Sequence, residues 1–422
     1  MFSTDTVVIG AGQAGLAVSA LLTEAHREHV VLDRGRVAER WRTERWDSLN
    51  LLTPNWMSRL PGWLYTGADQ EGYMSAAGFV GYLERYAAAF SAPVETRTTV
   101  LDVSADDSGY RVVTDRGTWQ TRHVVIATGP SGQPRVPETI QSLHDDLWLM
   151  TAKEYRNPAA LPAGGVLVVG ASSSGTQIAD ELSRAGRQVV LAVGRHSRMP
   201  RRYRGMDIYW WLERTGRLSR TIDDFAAPAV ARHEPSLQLI GRNEPERFGE
   251  DLDLATLQAR GVRLTGRLEG IEGGTARVRD DLGETTATAD QRMHRFLDAV
   301  DRHIHESGLS REVLSAIRPG PVAWAPAPAA IDLRGQGVGT VLLATGYRPD
   351  YSWLSLPITG PDGAIVQRRG VTTAPGVYVV GQPFQHRRDS GFIDGARRDA
   401  RAIVAHLTAG EPVAVPNQGI GG

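Results

Sequence analysis

Thr6-Val7-Val8-Ile9-Gly10-Ala11-Gly12-Gln13-Ala14-Gly15 is the stretch whose reading decides the fold of this chain. Its β-branched start reads as a buried parallel strand, and the glycines follow as G-x-G-x-x-G. Residues 16–22 are rich in Ala and Leu and read as a helix. A second strand, His29-Val30-Val31-Leu32, then ends at Asp33. The order has a physical use. Gly10 permits a tight turn, Gly12 lets a pyrophosphate approach the backbone, and Gly15 lets the helix pack on the sheet. Helix-end N–H groups then hold the anion. Asp33, 23 positions after Gly10, is placed to accept hydrogen bonds from a ribose diol, with Arg34 beside it. A glycine fingerprint alone is a weak sign; with strand, helix and carboxylate in their places it points to a dinucleotide. Gly10, Gly12, Gln13, Ala14, Gly15, Asp33 and Arg34 are therefore candidate cofactor-binding residues.

A second unit of the same kind starts at Gly165-Val166-Leu167-Val168-Val169-Gly170 and continues Ala171-Ser172-Ser173-Ser174-Gly175. Ser172 stands where the middle glycine would be, and its hydroxyl can donate to a phosphate. A helix follows, with Gln177 in its first turn and Ile178, Ala179, Leu182 and Ala185 on one face. The strand Gln188-Val189-Val190-Leu191-Ala192-Val193 then ends in Gly194-Arg195-His196, with Arg198, Arg201 and Arg202 close behind. An acid at that strand end favours an unphosphorylated ribose, whereas arginine favours a 2′-phosphate. The second ligand is therefore expected to be NADPH, with Arg195 as principal phosphate partner and His196 and Arg201 near it. The competing reading is a solvated arginine face in an arginine-biased chain. Two such folds in one chain, their first glycines 160 residues apart, suggest two cofactors brought face to face. One would be a bound FAD and the other a hydride donor that comes and goes.

Composition limits the alternatives. The 422 residues allow two or three domains, and 41% hydrophobic with 23% charged residues is ordinary for a globular chain. A net charge of −1, from 47 basic and 48 acidic residues, speaks against a generally basic nucleic-acid binder. Lys153 is the sole lysine. Cysteine is absent, which removes disulfides, thiolate metal sites, cysteine nucleophiles and redox dithiols together. No apolar run reaches the ~18 residues that span a bilayer, and the start of the chain shows no basic n-region. A cytoplasmic protein, without membrane or nucleic-acid partners, is the expectation; a homodimer is left open.

With both glycine loops in place, the chain resembles the flavin-containing monooxygenase-like family of two-dinucleotide-binding-domain flavoproteins, over nearly its whole length. Val124-Val125-Ile126-Ala127-Thr128-Gly129 and Val341-Leu342-Leu343-Ala344-Thr345-Gly346-Tyr347 resemble the strand-ending A-T-G segments where the chain passes between domains. Gly376-Val377-Tyr378-Val379-Val380-Gly381 resembles the strand that runs up to the flavin ribityl chain. Trp41-Arg42, Arg45-Trp46-Asp47-Ser48-Leu49 and Leu52-Thr53-Pro54 resemble the loop beside the isoalloxazine, and Tyr155-Arg156-Asn157-Pro158 also matches. The resemblance implies cofactor contacts at Trp41, Arg42, Trp46, Ser48, Thr53, Val100, Ala127, Thr128, Gly129, Tyr155, Thr345, Gly346, Tyr347, Gly381 and Gln382. Asn55 is a candidate catalytic residue, and His386, just before the last helix, is a candidate proton-transfer group near the flavin; the competing reading of His386 is a surface histidine between arginines. Two departures stand out. Gln382 replaces the aspartate that many relatives carry, and Thr151 stands where the monooxygenase signature has histidine.

The expected architecture is α/β: a FAD domain made of residues 1–150 and 331–422, and an NADPH domain with a helical insertion at 151–330. Linkers are placed near 158–165 and 319–328. Tyr209-Trp210-Trp211-Leu212 and residues 292–307 read as helices that fill the core rather than form a lid. A last amphipathic helix buries Ala396, Ala400, Ile403, Val404 and Leu407, with Asp389 or Ser390 as cap, and its start faces the flavin. The activity implied is NADPH-dependent transfer of one oxygen atom from O2 to a small molecule, through a C4a-(hydro)peroxyflavin. Two other readings stay open: an NADPH-flavin reductase or oxidase, and a flavin-binding sensor without turnover.

Overall fold

In the computed structural model, which describes residues 1–226, 232, 234–238, 251–326 and 328–409, the first strand (Phe2–Ile9) lies at the centre of a nine-stranded sheet. It pairs in parallel with His29–Leu32 on one side and Gly117–Ile126 on the other. Val377–Val379 extends the sheet beyond Gly117–Ile126, again in parallel. The register aligns Ile9 with Leu32 and Ile126, and Ile126 with Val379. Gly10, Asp33, Ala127 and Val380 therefore emerge along one carboxyl edge, where doubly wound sheets bind their ligands.

The helix Gln13–Glu24 covers one face and packs against the last helix, Ile393–Thr408. That last helix is long because its apolar positions recur every three to four residues. Ala396, Ala400, Ile403, Val404 and Leu407 are all buried in the same core as Leu16, Val18 and Leu22. Its N-cap is Phe392, with no side-chain hydrogen bond, so neither Asp389 nor Ser390 caps it. Both are buried ahead of the helix instead.

A second sheet of five parallel strands runs in the order Trp148–Thr151, Val338–Leu343, Gly165–Val169, Val189–Ala192, Arg263–Thr265. Val338–Leu343 lies between two strands that precede it by more than 160 residues. The second unit thus reaches past residue 331, where the sequence placed the return to the first. Ile140–Leu143 likewise joins Leu268–Gly273, Thr275–Val278 and Ala330–Asp332 in a four-stranded sheet. Hydrophobic strand runs identify strands; they carry no information about which sheet accepts them.

The two units are fused by shared packing. Trp46, Leu49 and Ala76 of the first lie in one buried cluster with Val168, Ile178 and Leu342 of the second. A two-stranded ribbon, Gln133–Pro134 against Tyr347–Arg348, joins the two chain crossings. The helical insertion forms its own core: Tyr209, Trp211 and Leu212 of Ile208–Arg214 meet Phe296, Leu297, Val300 and Ile304. The latter four lie on a single 25-residue helix, Leu282–Glu306, which begins ten residues before the expected start at 292. The stripe continues upstream through buried Leu282, Thr286, Ala289 and Met293. Pattern reading missed that half because two of its inward positions are small or polar. Among the described residues no helix is long and apolar enough to cross a membrane.

Candidate functional site: two clefts at one ribbon

The first glycine loop has the geometry a diphosphate needs. Gly10 has φ +112°, and a Cβ there would lie 2.7 Å from the Ala127 carbonyl oxygen. At Gly15 a Cβ would lie 1.9 Å from the Gly10 carbonyl oxygen, whereas at Gly12 it would meet nothing within 4 Å. Two of the glycines make the turn and the close packing, and the third leaves room in front of the helix N-terminus. Asp33 is locked in place: one oxygen accepts from the Ala11 amide at 2.7 Å and the other from the Gly35 amide at 2.8 Å. Each oxygen keeps a lone pair for a further donor.

A cavity of about 400 Å³ opens in front of this loop. Of the sequence-predicted residues it is lined by Gly10, Gly12, Gln13, Ala14, Asp33, Arg34, Trp41, Val100, Ala127, Thr128, Gly129 and Gly381. It also gathers Arg45, from the segment that resembles the loop beside the isoalloxazine, and Arg40, Thr98, Trp353 and Gly391, which no local pattern singles out. Arg45 lies over the Trp41 ring at 5.2 Å, and the Thr98 amide donates to the Asp33 carbonyl at 2.8 Å. Gly391 stands two residues before the last helix, so the loop ahead of that helix reaches the cleft. A diphosphate at the open Gly12 amide, a ribose at Asp33 and a ring system toward Gly381 fit this donor set, as FAD requires.

The second loop repeats the first. Gly170 has φ +107°, and a Cβ on Gly175 would lie 1.8 Å from the Gly170 carbonyl oxygen. The cleft above it, about 450 Å³, is lined by Gly170, Ser172, Ser174, Arg195, Thr345, Gly346 and Tyr347 as expected, and by Arg135 and Arg232 in addition. Among the described residues of its lining, three arginines stand against one carboxylate, Glu234, which suits a phosphorylated ligand. Ser173 turns aside; its amide and hydroxyl meet Ser236 Oγ at 3.3 and 2.7 Å. The two clefts meet at the ribbon. Ser131, Gly132 and Asp350 border the first, while Pro134, Arg135 and Tyr347 border the second.

Several predicted residues serve elsewhere. Arg201 is fully buried, ion-paired with Asp207, stacked 4.6 Å from the Tyr73 ring centroid and donating to the Leu52 carbonyl at 2.8 Å. Its charge is spent inside the protein, so it is not a phosphate ligand. His196 is buried as well, and burial pushes its pKa down. Its Nδ1 lies 3.0 Å from the Gly194 carbonyl, which only accepts, so that nitrogen carries the proton. Arg42 pairs with Glu84 and donates to the Val37 carbonyl at 3.2 Å.

Trp46 and Ser48, with Tyr155, join the first unit to the second rather than line a cleft. Trp46 is buried in the shared core, and Tyr155 donates to Glu181 at 2.8 Å, with Ser48 bonded to the same carboxylate. Burial pushes the Glu181 carboxyl up, against those two hydrogen bonds. Gly175 packs beneath its loop, Gln177 is buried in the helix Ser173–Arg184, and Thr53 is half-buried outside both linings. Gln382 is half-buried beside Gly381, its Nε2 facing no protein acceptor among the described residues.

Of the two proposed catalytic residues, Asn55 is buried, its Nδ2 donating to the Asp69 carbonyl at 2.8 Å and its Oδ1 without a donor among the described residues. His386 borders neither cleft. It sits in a charged cluster with Arg369, Arg387, Asp223 and Asp389, where burial and then the two arginines push its pKa down. Thr151 lines the second cleft and donates through its hydroxyl to Glu154 at 2.8 Å.

Comparison with known proteins agrees with this geometry. Residues 7–214 match the model of the pyridine nucleotide-disulphide oxidoreductase family. An uncharacterized CzcO-like oxidoreductase of Geobacillus kaustophilus is 32% identical over 403 residues, covering 95% of this chain and 97% of the relative. An indole-3-pyruvate monooxygenase of Oryza sativa subsp. japonica is 31% identical over 194 residues, 42% of this chain and 44% of that protein. Among solved structures, a flavin-containing monooxygenase of Stenotrophomonas maltophilia superposes with a TM-score of 0.61 at 22% identity, over 97% of this chain and 99% of the other. A bacillithiol disulfide reductase of Staphylococcus aureus reaches 0.62 at 14% identity, over 98% and 100%. With two glycine-loop clefts on paired Rossmann-like sheets and a full-length CzcO-like relative, the chain belongs to the flavin-containing monooxygenase-like family of two-dinucleotide-binding-domain flavoproteins.

Proposed function

We propose that this protein is an NADPH-dependent FAD monooxygenase that transfers one oxygen atom of O2 to a nitrogen, sulfur or activated carbon of a small molecule. One observation carries the reading: two dinucleotide clefts meet at the ribbon Gln133–Pro134/Tyr347–Arg348. When bound, the flavin supplies the hydride acceptor and the oxygen-activating centre; the balance is substrate, O2, NADPH and a proton giving oxygenated product, NADP⁺ and water. The protein's own part is placement. Asp33 takes the ribose hydroxyls, the Gly12 amide and the N-terminus of Gln13–Glu24 take the diphosphate, and Gly381 lets the chain pass close to the ribityl side. Arg195, helped by Arg135 and Arg232, selects the 2′-phosphate of NADPH. Walls that include Trp41 and Trp353 exclude water, so reducing equivalents are not lost to stray protonation.

The chain has no cysteine, and so no dithiol to which electrons could pass. Electrons from the flavin then go to O2, a quinone or another protein rather than to a dithiol of this chain. Thr151, lining the second cleft in place of the signature histidine, favours a second reading: an NADPH oxidase that releases hydrogen peroxide.

Coupling decides between them. NADPH consumed, peroxide released and label incorporated from isotopic O2 are measured over thioethers, amines and aryl 2-oxo acids. The last class follows from the indole-3-pyruvate monooxygenase relative. A monooxygenase releases less peroxide than the NADPH it consumes, and labelled product makes up the difference. Peroxide equal to NADPH with every candidate establishes the oxidase, and a flavin that NADPH does not reduce refutes both.

A further inference from the structure

The loop of residues 381–392 touches the first cleft near both ends, through Gly381 and Gly391. Its middle is held from inside the protein. Ser390 is fully buried, and its hydroxyl oxygen accepts from the amides of Arg387 at 2.9 Å and His386 at 3.2 Å. Both lone pairs are thereby used, so its one proton has to be donated. The acceptor is the carboxyl of Asp399, in the second turn of the last helix.

Asp399 is 1% exposed, and its Oδ2 meets no donor among the described residues. The contrast with its neighbour is informative. Asp394, equally buried, has both oxygens charge-paired: Oδ1 with Arg397 and Oδ2 with Arg59, each at 2.8 Å, and Arg398 approaches Oδ2 at 3.3 Å. Asp389 on the loop is paired with Arg387 and Arg398. The arginines near Asp399 are thus engaged by other carboxylates, and a bare ionised oxygen in such a place is costly. The site uses Asp399 as a hydrogen-bond acceptor, not as a charge.

We propose that Asp399 is a positioning residue for the flavin-side loop: through Ser390 it holds residues 381–391 in the form that receives FAD, with the carboxyl proton on Oδ2. The proposal rests on FAD occupying the first cleft. Burial, against the Ser390 hydrogen bond, pushes the Asp399 carboxyl up to about 6, and the neighbouring Asp389 acts in the same direction. When the loop opens, water reaches Asp399 and its pKa falls back toward the usual carboxylate value. The closed form therefore binds the extra proton, and FAD affinity falls as pH rises through about 6. Asp389 and Arg387 face the group from the loop and Arg398 from the helix, while Asp394 neighbours Asp389 and is held by Arg59 of the strand Arg59–Leu60.

The test titrates apoprotein with FAD, read by quenching of flavin fluorescence, for wild type, Asp399→Asn, Asp399→Leu, Ser390→Ala and Ile403→Val. For the wild type, Kd is expected to rise several-fold between about pH 5 and about pH 7. Asp399→Asn keeps an acceptor without a titrating proton, so it binds tightly with no pH dependence. Asp399→Leu and Ser390→Ala bind at least tenfold more weakly at every pH. Ile403→Val, a packing change on the same helix, lowers the thermal midpoint but keeps the wild-type pH profile. A flat wild-type profile, or Asp399→Asn as weak as Asp399→Leu, overturns the proposal alone. Wild-type apoprotein that takes up no FAD overturns the cofactor assignment beneath it.

Discussion

Gly12 and Gly15 belong to one motif, yet the structure assigns them opposite tasks, and alanine at each should separate these tasks. At Gly15 the new methyl would stand 1.9 Å from the Gly10 carbonyl oxygen and 3.2 Å from the Ala127 side chain. The obstacle is backbone. Gly10 is tied to the sheet, its amide donating to the Leu32 carbonyl at 2.8 Å, so it cannot recede without breaking that bond. Helix and strand must part by more than an ångström, an overpacking cost of about 3 kcal/mol or more. For a unit of this size that lowers the thermal midpoint by roughly 10 °C.

At Gly12, φ is −85° and the methyl meets nothing within 4 Å, so the apoprotein should change by less than about 1 kcal/mol. The methyl instead fills the space a diphosphate must enter. FAD affinity should fall at least about tenfold, equivalent to ~1.4 kcal/mol. Thermal unfolding of the two apoproteins, followed by FAD titration monitored by flavin fluorescence, reads both effects. The reasoning fails if Gly12→Ala binds FAD as the wild type does, or if the two variants lose apoprotein stability alike.

Arg195→Ala should remove a charge-assisted contact of about 1.5–3 kcal/mol, raising the KM for NADPH roughly tenfold to a hundredfold. The KM for NADH should barely move. Steady-state kinetics in which both cofactors suffer equally would remove the phosphate role. Arg201→Met should do the reverse. It leaves Asp207 buried without its partner, at a cost of ~3–5 kcal/mol in thermal or urea unfolding, while the NADPH-to-NADH preference stays as in the wild type. A lost preference at unchanged stability would return Arg201 to the nucleotide site.

Local physics explains why some of the site was legible. Gly10, Gly15 and Asp33 lie within one strand–turn–helix–strand unit, and short-range sterics force each choice. The same holds for Gly170, Gly175 and the strand ending at Arg195. Arg45 meets Trp353 and Gly391 in the first cleft across more than 300 residues of sequence, and Arg135 and Arg232 converge on the second across nearly 100. Arg45 falls in a segment that resembles the isoalloxazine loop, but nothing near Trp353, Gly391, Arg135 or Arg232 in sequence distinguishes them from other residues of their kind. Arg201 shows the opposite error: a cation close to the second strand end, yet turned inward by Asp207, Tyr73 and the Leu52 carbonyl.

By itself the sequence determined the two glycine-loop units, their strand–helix order and the absence of thiol chemistry, because period, turn sterics and composition are local quantities. Only the tertiary structure decided that Val338–Leu343 inserts between Trp148–Thr151 and Gly165–Val169. It alone separated Arg195 at a cleft from Arg201 in the core, and placed Asp399 of the last helix behind Ser390 of the loop that precedes it. Sheet partners and the burial of a charge depend on surfaces that come together only when distant segments fold, and no window of neighbouring residues contains that information.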